Sequence, residues 1–413
     1  MILLAPTAVH RGHAIPGFVR REDISLRAAV TAHLRPYPDL NTRPRSGALP
    51  AEPYAPANTW PNLTGPRNPT PIHPLVRGGS ESEGNTMTSP DNSILPVRSA
   101  AEMLAAVPHL VGFHPTNSIV LIAIAGTKVA LVTRGDLPAG LDDIAQALPA
   151  LDQVHATHVV IAAYGPEDLA TPAVDAARAV LTVAGLQVYD ALRVTDDRYW
   201  SYLCDNPTCC SPEGTPFDAV ASPLSVRAVV SGSSPFADRA SLAASIAPAG
   251  GALRAAMTEA TARARRRLAD LPASLSAVEA EGQAALTEAA NRYRSGQRCS
   301  DDEVAWLTTL LSTIAVRDHA WLTASREEWH LELWRDLTRR ADPDLVAAPA
   351  SLLAFTAWLQ GNGALADIAA HRALTADPSY GMALLVLDGL RAGIPPSVLE
   401  DWQTWAAQHT DQS

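Results

Sequence analysis

The feature that most constrains this chain is a change of hydrophobic period near Phe236. Between Ile94 and about residue 235, strand-sized apolar runs alternate with stretches whose apolar residues recur at helical spacing; beyond it only the helical spacing persists. "RSAAEMLAAVPHLVGF" predicts a helix capped by Ser99 and closed by Pro108 and Gly112. "SIVLIAIAG" and "KVALVTRGDL" predict a hairpin turning at Gly126 and Thr127. "LDDIAQALPAL" reads as a helix, "THVVIAAYG" as a buried strand and "AVDAARAVLTVAG" as a helix ended by Gly185. "LQVYDALRVTDDRYWSYL" reads as two further strands that turn at Asp196 and Asp197. Together these predict a layered α/β domain over 87–235, and the initial hairpin makes its sheet mixed.

Residues 236–413 predict an all-α domain. "ALRAAMTEATARARRRLADL", "SAVEAEGQAALTEAANRYRSG" and "DDEVAWLTTLLSTIAVRDHAWLTA" are long and rich in Ala and Leu, as helices packed on helices are. Trp306, Trp321, Trp329, Trp334 and Trp358 fall at helix-compatible positions and are expected in its core. At about 347–391, Leu353, Ala366, Ala373 and Pro378 match the spacing of a tetratricopeptide-type hairpin, with Ala354 and Ala357 in place of that repeat's Gly and Tyr. Only about one and a half repeats are present, fewer than the roughly three that stabilise a solenoid, so the hairpin is expected to dock on the other helices. The first 86 residues lack sustained periodicity and carry 13 of the 33 prolines, which predicts a disordered or mis-called N-terminal extension with the functional chain starting near Met87.

Charge narrows the function classes. After residue 86 the chain holds 23 basic against 37 acidic residues, which disfavours phosphate-backbone binding. The basic run "RARRR", Arg263 to Arg267, reads as a solvated helix face. The run "IVLIAIA" is strand-sized, well below the roughly 20 residues that cross a bilayer, and "MILLAP" lacks the basic flank of an export signal. Four cysteines in 413 residues argue against a disulfide scaffold and for a reducing cytoplasm.

"LVGFHPTNSIVLIAI", "TRGDLP", "DDRYWSYLCDNPTCCSPEGTPF", "LWRDLTRR" and "AWLQGNGALADIAAHRALTADPSYGMALLVLDGL", in this order, resemble the actinobacterial domain-of-unknown-function family 4192. The resemblance extends over nearly everything after Met87, and the double-cysteine loop after an aromatic strand is its most specific part. It implies the architecture and no particular activity.

Motifs for common chemistries are absent: there is no GxxxxGK[ST] loop, GxSxG elbow, HExxH or CxxC. "GNGALA" joins two helices, where a dinucleotide fingerprint needs a preceding strand. His155 and His158 in "HATH" read as strand-edge histidines ahead of a metal pair. The cysteine loop is the leading candidate. "DNPT" favours a turn that brings Cys204 near Cys209, whereas Cys209 and Cys210 are a poor disulfide pair because adjacent Cα atoms sit only about 3.8 Å apart. Reduced structural thiols, a reversible pair of Cys204 with Cys209 or Cys210, and a metal site short of a fourth ligand all remain open, in that order of preference. Asp136, Arg198 and Glu213 are its expected polar neighbours. A second constellation places His114, Thr116, Asn117 and Ser118 at one strand end with Asp136 after the hairpin, either as a ligand site or as turn-satisfying residues.

The sequence therefore points to a cytoplasmic, non-catalytic interaction or regulatory protein, with an α/β ligand-binding module and a helical docking platform. The alternative is a thiol-based redox sensor or enzyme using Cys204, Cys209 and Cys210. A protein partner or small ligand is expected; nucleic acid, membrane, cofactor and metal are not.

Overall fold

A computed structural model describes residues 97–230 and 233–396. The expected N-terminal extension, 1–86, lies outside the described residues. The chain enters through helix α1 (Ala100–Val111), where Ser99 accepts from the Glu102 amide at 3.2 Å and Glu102 reaches back to the Arg98 amide at 2.6 Å. Gly112 closes it, its amide donating to Pro108 O at 2.8 Å. Pro108 does not end the helix as its residue type predicts; it lies inside, and burial of its ring offsets the lost hydrogen bond.

The sheet has six strands in the order β2-β1-β3-β4-β5-β6. These are β1 (Ser118–Ala125), β2 (Lys128–Asp136), β3 (His158–Tyr164), β4 (Gln187–Thr195), β5 (Arg198–Ser201) and β6 (Thr215–Pro216). β3 and β4 pair in parallel across helix α4 (Glu167–Val183), and the other pairings are antiparallel, so the sheet is mixed. "LDDIAQALPAL", expected as one helix, forms two short ones, α2 (Leu141–Ala145) and α3 (Leu148–Gln153).

Strand β1 shows why the apolar run is unbroken. Ile119, Leu121 and Ala123 face α2, α3 and α4, packing with Ile144, Leu151 and Val174, while Val120, Ile122 and Ile124 face Met103, Leu104 and Val107 of α1. Both faces are covered, so alternation with polar residues has no role. Helix α5 (Pro223–Val230) adds to the α1 side, with Ser225 Oγ donating to Ala105 O at 3.2 Å.

No strand follows β6 among the described residues, apart from a bridge in which Phe236 meets Phe113. The helices are α6 (Arg239–Ala244), α7 (Gly251–Ala269), α8 (Leu275–Arg294), α9 (Asp301–Leu310), α10 (Ile314–Leu322), α11 (Glu328–Arg340), α12 (Ala347–Leu359), α13 (Gly363–Ala376) and α14 (Gly381–Arg391). The segment "DDEVAWLTTLLSTIAVRDHAWLTA" is split between α9 and α10. Around the break, Thr308, Thr309 and Ser312 turn their hydroxyls onto the carbonyls of Val304, Ala305 and Thr309, a local alternative to continuing the helix. Trp306, Trp321, Trp334 and Trp358 are buried as expected. Trp329 is only half-buried, stacked on His330 at 4.2 Å beneath the Arg294 guanidinium at 4.7 Å. No helix among the described residues is long and apolar enough to cross a membrane.

Gly282, midway along α8, lets α10 approach closely: a Cβ there would stand 2.5 Å from a Val316 methyl. Substituting Ala gains about 1 kcal/mol of helix propensity, but the clash sits between two packed helices. Gly282→Ala is expected to lose about 1–2 kcal/mol in urea denaturation, and Val316→Ala in the same chain to show favourable coupling of at least about 0.5 kcal/mol. Additive losses would show that this contact does not set the helix spacing.

Candidate thiol site

The connection from β5 to β6 carries the cysteines. Strand β5 fastens the loop from below with two side chains. Arg198 donates to the carbonyls of Glu213 at 3.3 Å and Gly214 at 2.8 Å, and the Trp200 indole donates to Pro212 O at 3.0 Å. Gly214 lies flat on that indole, where a Cβ would come within 2.6 Å of the ring. On the indole's other partner, the Arg193 guanidinium stacks at 3.9 Å and also reaches Glu167 at 3.4 Å. Arg198 therefore grips backbone and is not aimed at the thiols. The Glu213 carboxylate accepts from Ser211 Oγ at 2.6 Å, which holds it below the ordinary carboxylate range.

Asn206 makes the turn. Its side-chain oxygen accepts from the Thr208 amide at 2.9 Å, and its carbonyl accepts from the amides of Cys209 at 3.2 Å and Cys210 at 2.8 Å. The turn brings Cys209 Sγ to 3.1 Å from Cys204 Sγ and 3.7 Å from Cys210 Sγ. Cys209 is exposed, and Cys204 and Cys210 are partly so. Hydrogen bonds from Cys210 and then Cys209 hold the Cys204 thiol below its ordinary range, helped by the Asn206 amide. Burial pushes Cys210 up, and the bond to Cys204 pushes Cys209 up. One sulfur is thus favoured as thiolate and its two neighbours as donors. Asp190 on β4 lies beneath, its carboxyl raised by burial and held by Ser201 Oγ at 2.9 Å and the Ala191 amide at 2.8 Å. Cys299 is apart, buried among the helices, where desolvation pushes its thiol up to about 11.

The second constellation lies elsewhere on the sheet. Ser118 is fully buried, donates to Thr116 O at 2.6 Å and accepts from Arg134 at 2.7 and 2.9 Å; Arg134 in turn meets Asp136 at 2.5 Å. Asn117 takes a left-handed conformation, φ 42°, and its carbonyl accepts from the Leu137 amide at 2.9 Å. His114 is exposed, and its amide donates to Phe236 O at 3.0 Å. Strands β3 and β4 separate β1 from β5, a lateral offset of about 14 Å at roughly 4.8 Å per strand, so the two groups of residues form separate sites, and Asp136, on β2 one strand further out, is not the neighbour of the thiols that the sequence predicts. Nor do His155 and His158 join the thiols: the metal-capable group there consists of the three cysteines. His158 opens β3, with its ring edge-on to Tyr189 at 6.2 Å.

Residues 101–397 match the family described as "Domain of unknown function (DUF4192)", and they make up most of the 413-residue chain. The chain belongs to the DUF4192 family. That match takes in the sheet, the cysteine loop and the helices together. No curated protein and no solved structure matches the chain.

Because thiolate is the nucleophile, Cys204 is expected to alkylate first, with a pH midpoint below the ordinary thiol value of about 8.5. Pulsed iodoacetamide labelling with peptide mapping between about pH 6 and 9 reads this directly, and Cys204→Ser is expected to abolish the fast phase. Equal labelling of Cys204 and Cys210 would contradict the assignment.

Proposed function

We propose that this DUF4192 protein is a cytoplasmic, non-catalytic regulator that reads its oxidative surroundings through Cys204 and Cys209. The observation that carries the reading is the 3.1 Å approach of an easily ionised thiol to a second, exposed one. The Cys204 thiolate attacks one oxygen of a peroxide, giving a sulfenic acid and releasing water once the leaving hydroxide is protonated. The Cys209 thiol then attacks the sulfenic sulfur, a second water leaves, and two thiols and one hydrogen peroxide have become one disulfide and two waters. A reducing cytoplasm resets the pair.

In this reading the chain divides near residue 235 into an α/β sensing module and a helical platform. The tetratricopeptide-like hairpin at about 347–391, α12 to α14, belongs to the platform, which meets a protein partner. A second reading, ligand binding by the α/β module, is favoured by a cleft of about 630 Å³ between β2 and the helices. Its polar lining includes Arg134, Asp136 and the Arg239–Asp367 pair, joined at 2.8 Å.

With about one equivalent of hydrogen peroxide, the reduced chain is expected to lose two of its four thiols to a mapped Cys204–Cys209 disulfide that dithiothreitol reverses, while Cys299 stays free. Cys204→Ser is expected to slow the reaction by about tenfold or more. Four unreactive thiols in the folded protein would leave the cluster as packing and end the sensor reading.

A further inference from the structure

A two-sulfur switch leaves Cys210 unexplained. Its hydrogen bond to Cys204 is one that a serine hydroxyl could supply, and it is not one of the two sulfurs that the switch joins. Yet the sulfur atoms of Cys204, Cys209 and Cys210 all lie within 4.8 Å of one another. A tetrahedral cation with thiolates at about 2.3 Å holds its sulfurs about 3.8 Å apart. The observed 3.1 and 3.7 Å separations reach that triangle with adjustments of about 1 Å or less.

The loop is arranged to keep this triangle. The Asn206 carbonyl holds the amides of both Cys209 and Cys210, which turns two adjacent residues into a pair of converging donors, and the Asn206 amide is directed at Cys204. Trp200 and Arg198 anchor the returning arm through Pro212 and Gly214. An all-sulfur donor set selects thiophilic cations and excludes magnesium and calcium. No His, Asp or Glu completes the group among the described residues, and Cys209 is exposed, so the fourth coordination position faces solvent.

We infer that Cys204, Cys209 and Cys210 together bind one thiophilic divalent cation of the zinc class, with water in the fourth position. Binding replaces all but one of the waters around the ion by three thiolate sulfurs, and the thiols still protonated, Cys209 and Cys210 foremost, lose their protons to solvent. This deepens the sensor reading and uses the same loop: the bound ion masks the thiols, and formation of the Cys204–Cys209 disulfide leaves Cys210 alone and releases the ion.

The test uses the reduced full chain, titrated with Zn²⁺ against a chromophoric chelator and with Co²⁺ as a spectroscopic probe. One ion per chain is expected, with thiolate-to-cobalt charge transfer and the intense visible bands of four-coordinate cobalt. Cys210→Ser is expected to weaken Zn²⁺ binding by about a hundredfold. Bound Zn²⁺ is also expected to protect all three loop thiols of the wild-type chain from alkylation, a readout independent of whether the variant folds. Binding no tighter than that of a Cys204→Ser/Cys209→Ser/Cys210→Ser chain, a six-coordinate cobalt spectrum, or unchanged affinity in Cys210→Ser would each overturn the metal site. The thiol count after peroxide decides the sensor reading separately: a chain that forms the disulfide but binds no ion loses only the cation, and one that binds the ion but forms no disulfide loses only the switch.

Discussion

Burial of β1 and β3 on both faces is the constraint from which the rest of the arrangement follows. Residues 119–124 and 159–163 are almost completely removed from solvent, with α1 on one side and α2 to α4 on the other. Fully burying each such Val, Ile or Leu side chain is worth about 1.5–3 kcal/mol, so the two central strands dominate the stability of this part of the chain. A sheet covered on both faces has no face left for chemistry. What remains accessible is its rim, and both candidate sites lie there: the thiols beyond β5 and the cleft along β2.

The helices reach this rim through a narrow splice. Phe113 leaves α1, pairs with Phe236, and is buried with the helical cluster, although its neighbours in sequence belong to the sheet. Its 1% exposure makes it a core residue of the helical region contributed from the other end of the described chain. The cleft opens beside that splice, and Arg134 spans the two environments, bonded to Ser118 at the base of β1 and lying 5.9 Å from the Phe113 ring.

Local periodicity carried much of this architecture in readable form. The β1–β2 hairpin, the Ser99 cap, the β4–β5 turn at Asp196 and the loss of strands after Phe236 all follow from short-range patterns. The insertion of β1 between β2 and β3 did not, because strand order is decided by packing between distant segments. Within the loop, "DNPT" foretold the approach of Cys204 and Cys209, since Asn and Pro act through their own backbone. Which of the adjacent Cys209 and Cys210 turns toward Cys204 was not legible, because that is set by the Asn206 carbonyl holding both amides. Arg134, Asp190 and Trp200 are site residues that sequence reasoning missed. The signals for Asp190 and Trp200 were an Asp inside an apolar strand, "YDALRV", and the Trp of "RYWS" on the loop-bearing strand; the partners of both come from other strands or from the far side of the loop.

Strand β6 is two residues long, and one of them is Pro216, paired opposite Arg198. Proline offers no amide to a further strand, so the sheet is sealed on this side by the residue type least able to extend it. The seal is held in place by the loop, through Arg198 and Trp200. Any rearrangement that frees the loop from β5 would therefore uncover a row of unsatisfied backbone groups. The same few residues that present the thiols thus also guard one molecule against pairing edge to edge with the next.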